Sequence, residues 1–216
     1  MDSKRSILYL IVSDYPYGFG EPFLEDELSV VAAAFQKIYI ILPYPIKANK
    51  LQPKFHTPAN AEVIELNIRE SASDKLFAIK SVVSEAWRME LKFIRGIYKQ
   101  PLQAIHLKVM AAYQAFAKIF AQEMASLLQK HGHPVESITL YTYWFTNATY
   151  GCGILKQKSP KLRVVSRTHR WDCFYYVNPG DYLPFRPWML KHSDGVYPIS
   201  DAGTTYMKNQ VDGYEQ

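Results

Sequence analysis

The densest run of side chains able to do chemistry is Ser166-Arg167-Thr168-His169-Arg170-Trp171-Asp172. Two guanidinium groups, an imidazole, an indole and a carboxylate stand almost side by side there. Guanidinium and imidazole donate to hydroxyl or phosphate oxygens, a carboxylate accepts from hydroxyls, and an aromatic face can lie against the C–H face of a sugar. That combination suits a hydroxyl-rich or phosphorylated ligand. The competing reading is structural: Asp172 pairs with Arg167 or Arg170, and His169 caps a strand.

A second candidate is the stretch from Ser13 to Glu21, Ser-Asp-Tyr-Pro-Tyr-Gly-Phe-Gly-Glu. Gly18 and Gly20 let the backbone approach a ligand closely, and the helix that follows offers unpaired N–H groups on which a phosphate can rest. Against this, Glu21, Glu25, Asp26 and Glu27 crowd the same helix end, satisfy its dipole and repel an anion, so a plain turn competes. A third stretch, Tyr141-Thr142-Tyr143-Trp144-Phe145-Thr146-Asn147, ends a strand in aromatic residues. Tyr141 is expected to seal the core and Trp144 to be exposed for stacking. Ser200 or Asp201 is expected to cap the last helix.

These segments matter only if the fold brings them together, and the hydrophobic pattern predicts how. Ile7 to Val12 is an uninterrupted apolar run, as in a strand buried on both faces of a parallel sheet. A helix opening at Pro22, with Phe23, Leu24, Leu28, Val31 and Phe35 on its apolar face, leads to a second strand at Lys37 to Leu42, a βαβ unit. Ala61 to Leu66 is a weaker third strand. A long helical insertion spans about 71–132; its clearest helix begins near Pro101, carries Leu102, Ile105, Val109, Tyr113, Phe116, Phe120, Met124 and Leu127, and ends at Gly132 and Pro134. Ser137 to Tyr143, Leu162 to Thr168 and Gly195 to Ile199 are further strands. The whole chain therefore reads as one α/β domain, Rossmann-like and doubly wound, with a mostly parallel sheet of about six or seven strands. In such a sheet ligands bind beyond the carboxyl ends of the strands, which is where all three segments fall.

Other classes fit less well. Neither Gly-x-Gly-x-x-Gly nor a P-loop pattern is present, and Leu42-Pro43 stands where a dinucleotide site wants an acidic residue, which argues against NAD. Cys152 and Cys173 lack metal-ligand spacing and read as structural thiols of a reducing cytoplasm. The formal charge of +5 in 216 residues permits an anionic partner without requiring one, and the dispersed lysines carry no nucleic-acid module signature. No stretch has the apolar length of a spanning helix, and the N-terminal run reads as a strand, not a signal peptide. Lys75, Lys80, Arg88, Lys92, Arg95 and Lys99 interleave with Trp87, Met89, Leu91, Phe93, Ile94 and Tyr98, a mixture compatible with an anionic membrane surface or with a solvated helix face over a core.

Taken in order, the motifs resemble the N-terminal, acceptor-side domain of retaining GT-B glycosyltransferases, in the large family 4-like bacterial group that builds polysaccharides and glycolipids. The resemblance spans nearly the whole chain. It rests on Tyr-Pro-x-Gly-x-x-Glu-x-Phe-Leu-x-x-Glu-Leu from Tyr15 to Leu28, Tyr143-Trp144, Arg-Thr-His-Arg-Trp-Asp from Arg167 to Asp172, Tyr-Leu-Pro-Phe-Arg from Tyr182 to Arg186, and Pro-Ile-Ser-Asp from Pro198 to Asp201. It implies sugar transfer from a nucleotide sugar to a carbohydrate or lipid-linked acceptor, with no bound metal and no cofactor beyond the donor, in the cytoplasm or peripherally at the inner membrane face. His169 is implied at the transferred sugar, Gly18 and Gly20 at the donor diphosphate, and Trp144, Arg170 and Asp172 on the acceptor side. Arg170-Trp171 departs from the family, where a glycine commonly follows the histidine. The sequence stops at Gln216, where the family continues into a nucleotide-binding domain with a Glu-x₇-Glu element; that domain is an implied partner, and this half alone is expected to be inactive. A stand-alone binding module and a sugar-nucleotide epimerase of the same fold remain open.

Overall fold

A computed structural model describes residues 6–46, 52–69, 84–96 and 101–211. Strand β1 (Ile7–Ile11) is buried along its whole length. It is hydrogen-bonded in parallel to both β2 (Lys37–Leu42) and β4 (Ile138–Thr142), with Ile7 opposite Lys37 on one side and Ile138 on the other. The apolar run is uninterrupted because both faces are covered: Ile7, Tyr9 and Ile11 enter one core, Leu8, Leu10 and Val12 the other. With β3 (Ala61–Glu65), β5 (Arg163–Thr168) and β6 (Gly195–Pro198), the sheet has six strands in the order β3-β2-β1-β4-β5-β6, every pair parallel. The chain works outward from β1 to β3, then returns to the other side of β1 to lay down β4. The point of reversal lies between β1 and β4, where α/β sheets of this order open a crevice at their carboxyl edge.

On one face, helix α1 (Leu24–Val31) rests on the sheet through Leu24 and Leu28. Phe23, expected on that apolar face, instead precedes the helix and is exposed, because the helix begins two residues later than its pattern suggests. The opposite face carries α3 (Ala104–His131) and α4 (Asn147–Lys158). Phe116, Phe120 and Met124 of α3 pack on Ile11, Tyr9 and Leu140 of the sheet. The expected stop operates: Gly132 adopts φ 66° and its N–H donates to the Leu128 carbonyl at 3.1 Å. Leu102, expected within this helix, lies before it and is exposed.

Three further helices, α5 (Arg170–Cys173), α6 (Arg186–Lys191) and α7 (Asp201–Gln210), follow β5 and β6. Ser200 caps α7, accepting the Gly203 N–H at 3.2 Å. Cys152 and Cys173 are both buried, and burial pushes both thiols up, as structural thiols require.

Helix α2 (Glu85–Gly96) decides how the basic and aromatic mixture is used. Trp87, Phe93 and Ile94 are buried in the helical core against Phe185 and Trp188, whereas Arg88, Lys92 and Arg95 are exposed. The aromatic half is consumed by packing, which leaves a solvated basic face. Lys75, Lys80, Tyr98 and Lys99 lie outside the described residues. Among the described residues no helix is long and apolar enough to cross a membrane.

Helices α3 and α4 cross closely because α4 presents Gly151. A methyl group there would stand 2.5 Å from the Phe120 ring and 3.0 Å from the Ala117 carbonyl. Gly151→Ala is therefore expected to destabilise the fold by about 1–3 kcal/mol through overpacking, despite the better helix propensity of alanine. Equilibrium urea unfolding checks this; a variant as stable as the parent would show that the crossing has slack.

Candidate functional site

The loops after β1, β4 and β5 meet at the carboxyl rim, and buried carboxylates join them. Glu21 is fully buried. Its Oε1 accepts the Ser13 N–H at 2.7 Å and the Trp144 indole N–H at 2.6 Å, while Oε2 accepts the N–H groups of Asp14 and Tyr15, both at 3.0 Å. One side chain thus closes the first loop and ties it to the residue that follows β4. The sequence pattern marked Glu21 only as a charge repelling anions. Its signal was position, a carboxylate directly after a turn whose backbone N–H groups need acceptors.

Asp172 does the same between β4 and β5. It is fully buried; Oδ2 accepts the Phe145 N–H at 2.7 Å and Oδ1 the His169 N–H at 2.5 Å. Burial raises its carboxyl above the usual range, and those two hydrogen bonds together with the charge of Arg186 pull it back. Asp172 therefore positions backbone and does not reach an acceptor directly. It also pairs with neither Arg167 nor Arg170: Arg167 is ion-paired with Glu27, which in turn accepts the Tyr141 hydroxyl at 2.9 Å. Tyr141 is accordingly half-buried, packed against the core on the α1 face as expected, with its hydroxyl engaged by α1.

His169 lies half-buried between two rings, 4.6 Å from Tyr143 and 4.3 Å from Trp144 between centroids. Both imidazole nitrogens are covered and hydrogen-bond to nothing among the described residues. Burial, helped by the nearby Arg167 charge, lowers its pKa to about 4, so the ring is neutral at pH 7. The expected imidazole open to a cleft is instead a neutral imidazole behind an indole. Trp144 is half-buried rather than free, and its other side meets Trp171 at 5.4 Å, which is 44% exposed. Arg170 is exposed at the start of α5.

Gly18 and Gly20 serve the loop itself. Gly18 is buried with its Cα against the Asp14 carboxylate, which occupies the space of a β-carbon; a methyl group on the exposed Gly20 would stand 3.1 Å from the same carboxylate. What these glycines admit is Asp14, so the two loop carboxylates make this turn a poor seat for phosphate.

Under the rim, the hydroxyls of Thr142, Thr149 and Ser166 satisfy one another, with Thr142 Oγ1 2.7 Å from Thr149 and 2.8 Å from Ser166. They fasten the first turn of α4 to β4 and β5. The crevice at the reversal point, lined by Ser13, Tyr44, Thr142, Trp144, Thr146 and Asn147 among others, has a volume of only about 60 Å³. A larger hollow of about 630 Å³ lies between α2, α3 and α4, away from the strand ends and from all of these groups. The small crevice adjoins, through Trp144, the ring cluster of Tyr143, Trp144, His169 and Trp171. Among the described residues no group of three or more His, Cys, Asp or Glu could hold a metal ion.

Comparison with protein-family models and with curated protein sequences finds no match to this chain.

Two outcomes follow from the rim geometry. The folded pKa of His169 is depressed, so its contribution to stability is fully present above the ordinary histidine value of about 6.5 and is lost as pH falls towards about 4. Thermal unfolding across that window is expected to show His169→Gln losing less stability on acidification than the parent; equal losses would contradict a neutral buried ring. Separately, Glu21→Gln replaces an acceptor by an NH₂ facing N–H donors, with an expected cost of about 1–3 kcal/mol. Tryptophan emission should move to longer wavelength as the Trp144 indole loses its tether.

Proposed function

We infer that this chain is the acceptor-side lobe of a GT-B-type glycosyltransferase, holding an acceptor hydroxyl at its carboxyl rim while a second lobe brings the nucleotide sugar. The observation carrying this reading is a mismatch of chemistry and volume. Aromatic faces, an imidazole and a guanidinium gather beyond the ends of β4 and β5, yet the crevice beside them at the reversal point, which shares Trp144, encloses only about 60 Å³. Sites that enclose a small molecule typically measure about 300–1,000 Å³. One wall of an interlobe cleft has this form. The ordered motifs from Tyr15 to Asp201 support the same family.

The residues divide the work accordingly. Trp171 offers an apolar face to a sugar ring with Trp144 packed behind it, and Arg170 offers exposed donors to its hydroxyls. Asp172 and Glu21 position the backbone that carries them. His169, neutral at pH 7, reaches a hydroxyl only after the Trp144 indole moves aside, so ligand entry and indole motion are coupled. The exposed Gly20 edge stays next to the donor path, but the carboxylates of Asp14 and Glu21 assign stabilisation of the leaving diphosphate to donors of the second lobe. A lipid-linked acceptor enters the proposal through the resemblance, an anionic membrane surface also through the exposed basic face of α2, and the cytoplasmic location also through the two buried free thiols.

The test is titration of this chain with neutral oligosaccharides and with nucleotide sugars, followed by calorimetry and tryptophan fluorescence. Saccharides are expected to bind weakly, with Kd of roughly 0.1–10 mM, a free energy near 3–5 kcal/mol, and to quench Trp144 without any sugar transfer. Trp144→Ala should weaken binding at least about tenfold, roughly the 1–3 kcal/mol of a lost aromatic contact. Binding of neither ligand class would refute the assignment. Submicromolar saccharide binding by this chain alone would favour a stand-alone module built on the same aromatic cluster.

A further inference from the structure

Arg186 opens α6 with its side chain entirely buried. Its guanidinium lies 5.2 Å from the centre of the Phe145 ring and 5.3 Å from that of Tyr175. Nη1 meets the Met207 sulfur at 3.1 Å, while Nε and Nη2 make no hydrogen bond among the described residues. Such a group is a poor strut, since a buried cation is normally retained where several acceptors or an opposite charge meet it. The backbone is nevertheless bent to deliver it: Phe185, fully buried, sits at φ 60°, in the left-handed region that a bulky residue rarely enters.

The surroundings identify what the charge acts upon. Phe145 stacks on Arg186 with its ring and donates its N–H to Asp172, so the cation and the buried carboxylate grip one residue from two sides. Arg167 and Arg170 apart, the other titratable groups beside Asp172 are neutral at pH 7. Burial pushes Tyr113 of α3 up to about 12 and raises Tyr143 after β4 and Cys173 of α5, while His169 is lowered to about 4. From α2, Glu90 faces the same cation; it accepts the Tyr182 hydroxyl at 2.6 Å, and burial raises it to about 7. Arg186 therefore acts on two buried carboxyl groups through its charge, and only Asp172 among them connects to the rim.

We propose that Arg186 is a positioning residue of the rim site, its buried charge keeping Asp172 a carboxylate so that the backbone at Phe145 and His169 stays pinned beneath the Trp144 indole and the imidazole. A protonated Asp172 accepts less well and releases that backbone; the cation at Arg186 adds to the two backbone hydrogen bonds in opposing that protonation. The inference rests on this rim being the functional site, but it concerns the support of the site, not the ligand.

Its test reads the backbone directly. Amide resonances of Phe145 and His169 are followed against pH in the parent, Arg186→Met and Arg186→Lys. In Arg186→Met both amides are expected to titrate together at a higher pH than in the parent, and Arg186→Lys should move that titration back towards the parent. Asp172→Asn in the Arg186→Met background should abolish it. Amides of folded Arg186→Met that titrate as in the parent would overturn the proposal. Should Arg186→Met fail to fold, recovery of the folded state in Asp172→Asn/Arg186→Met supports the charge coupling, and failure of the pair to recover overturns it. No saccharide enters the measurement, so absence of sugar binding leaves this result standing, and the reverse also holds.

Discussion

The rim depends on a single constraint: a carboxylate withdrawn from water must find donors, and in this chain the donors are backbone N–H groups of loops that follow different strands. Glu21 collects Ser13, Asp14, Tyr15 and the Trp144 indole. Asp172 collects Phe145 and His169. Each loop alone has no reason to keep its shape, because turn backbones have several conformations of similar energy. Shared acceptors remove that freedom and join the ends of β1, β4 and β5 into one surface. The clustered rings of Tyr143, Trp144, His169 and Trp171 stand on this frame.

The frame is held from below by the helical layer. The hydroxyls of Thr142, Thr149 and Ser166 lock the first turn of α4 to the strand ends, and the close crossing at Gly151 locks α4 to α3. Residues far from the rim therefore bear on its geometry through rigid packing. Arg186 belongs to the same layer, and its charge extends that support electrostatically. The aromatic residues of α2 are committed to this core as well, which leaves the exposed aromatic surface of the rim, Trp171 above all, as the apolar surface nearest the site.

The sequence by itself determined the architecture. Apolar runs at Ile7 to Val12 and Lys37 to Leu42 lie in central strands because only burial on both faces tolerates them, and the stop at Gly132 follows from the left-handed backbone that glycine adopts freely. It also singled out the strand ends, since those of a parallel sheet are where polar and aromatic residues remain after packing is satisfied. Tertiary structure alone decided which of those residues are exposed and which are consumed in holding the loops. Asp172, Gly18 and Glu21 are polar or small for the loops' own sake, and Arg186 looks like an ordinary surface arginine until its burial is seen. The physical reason is range: periodicity records which face of an element is dry, whereas a buried charge is matched by groups that are distant along the chain and become neighbours only once the sheet has assembled.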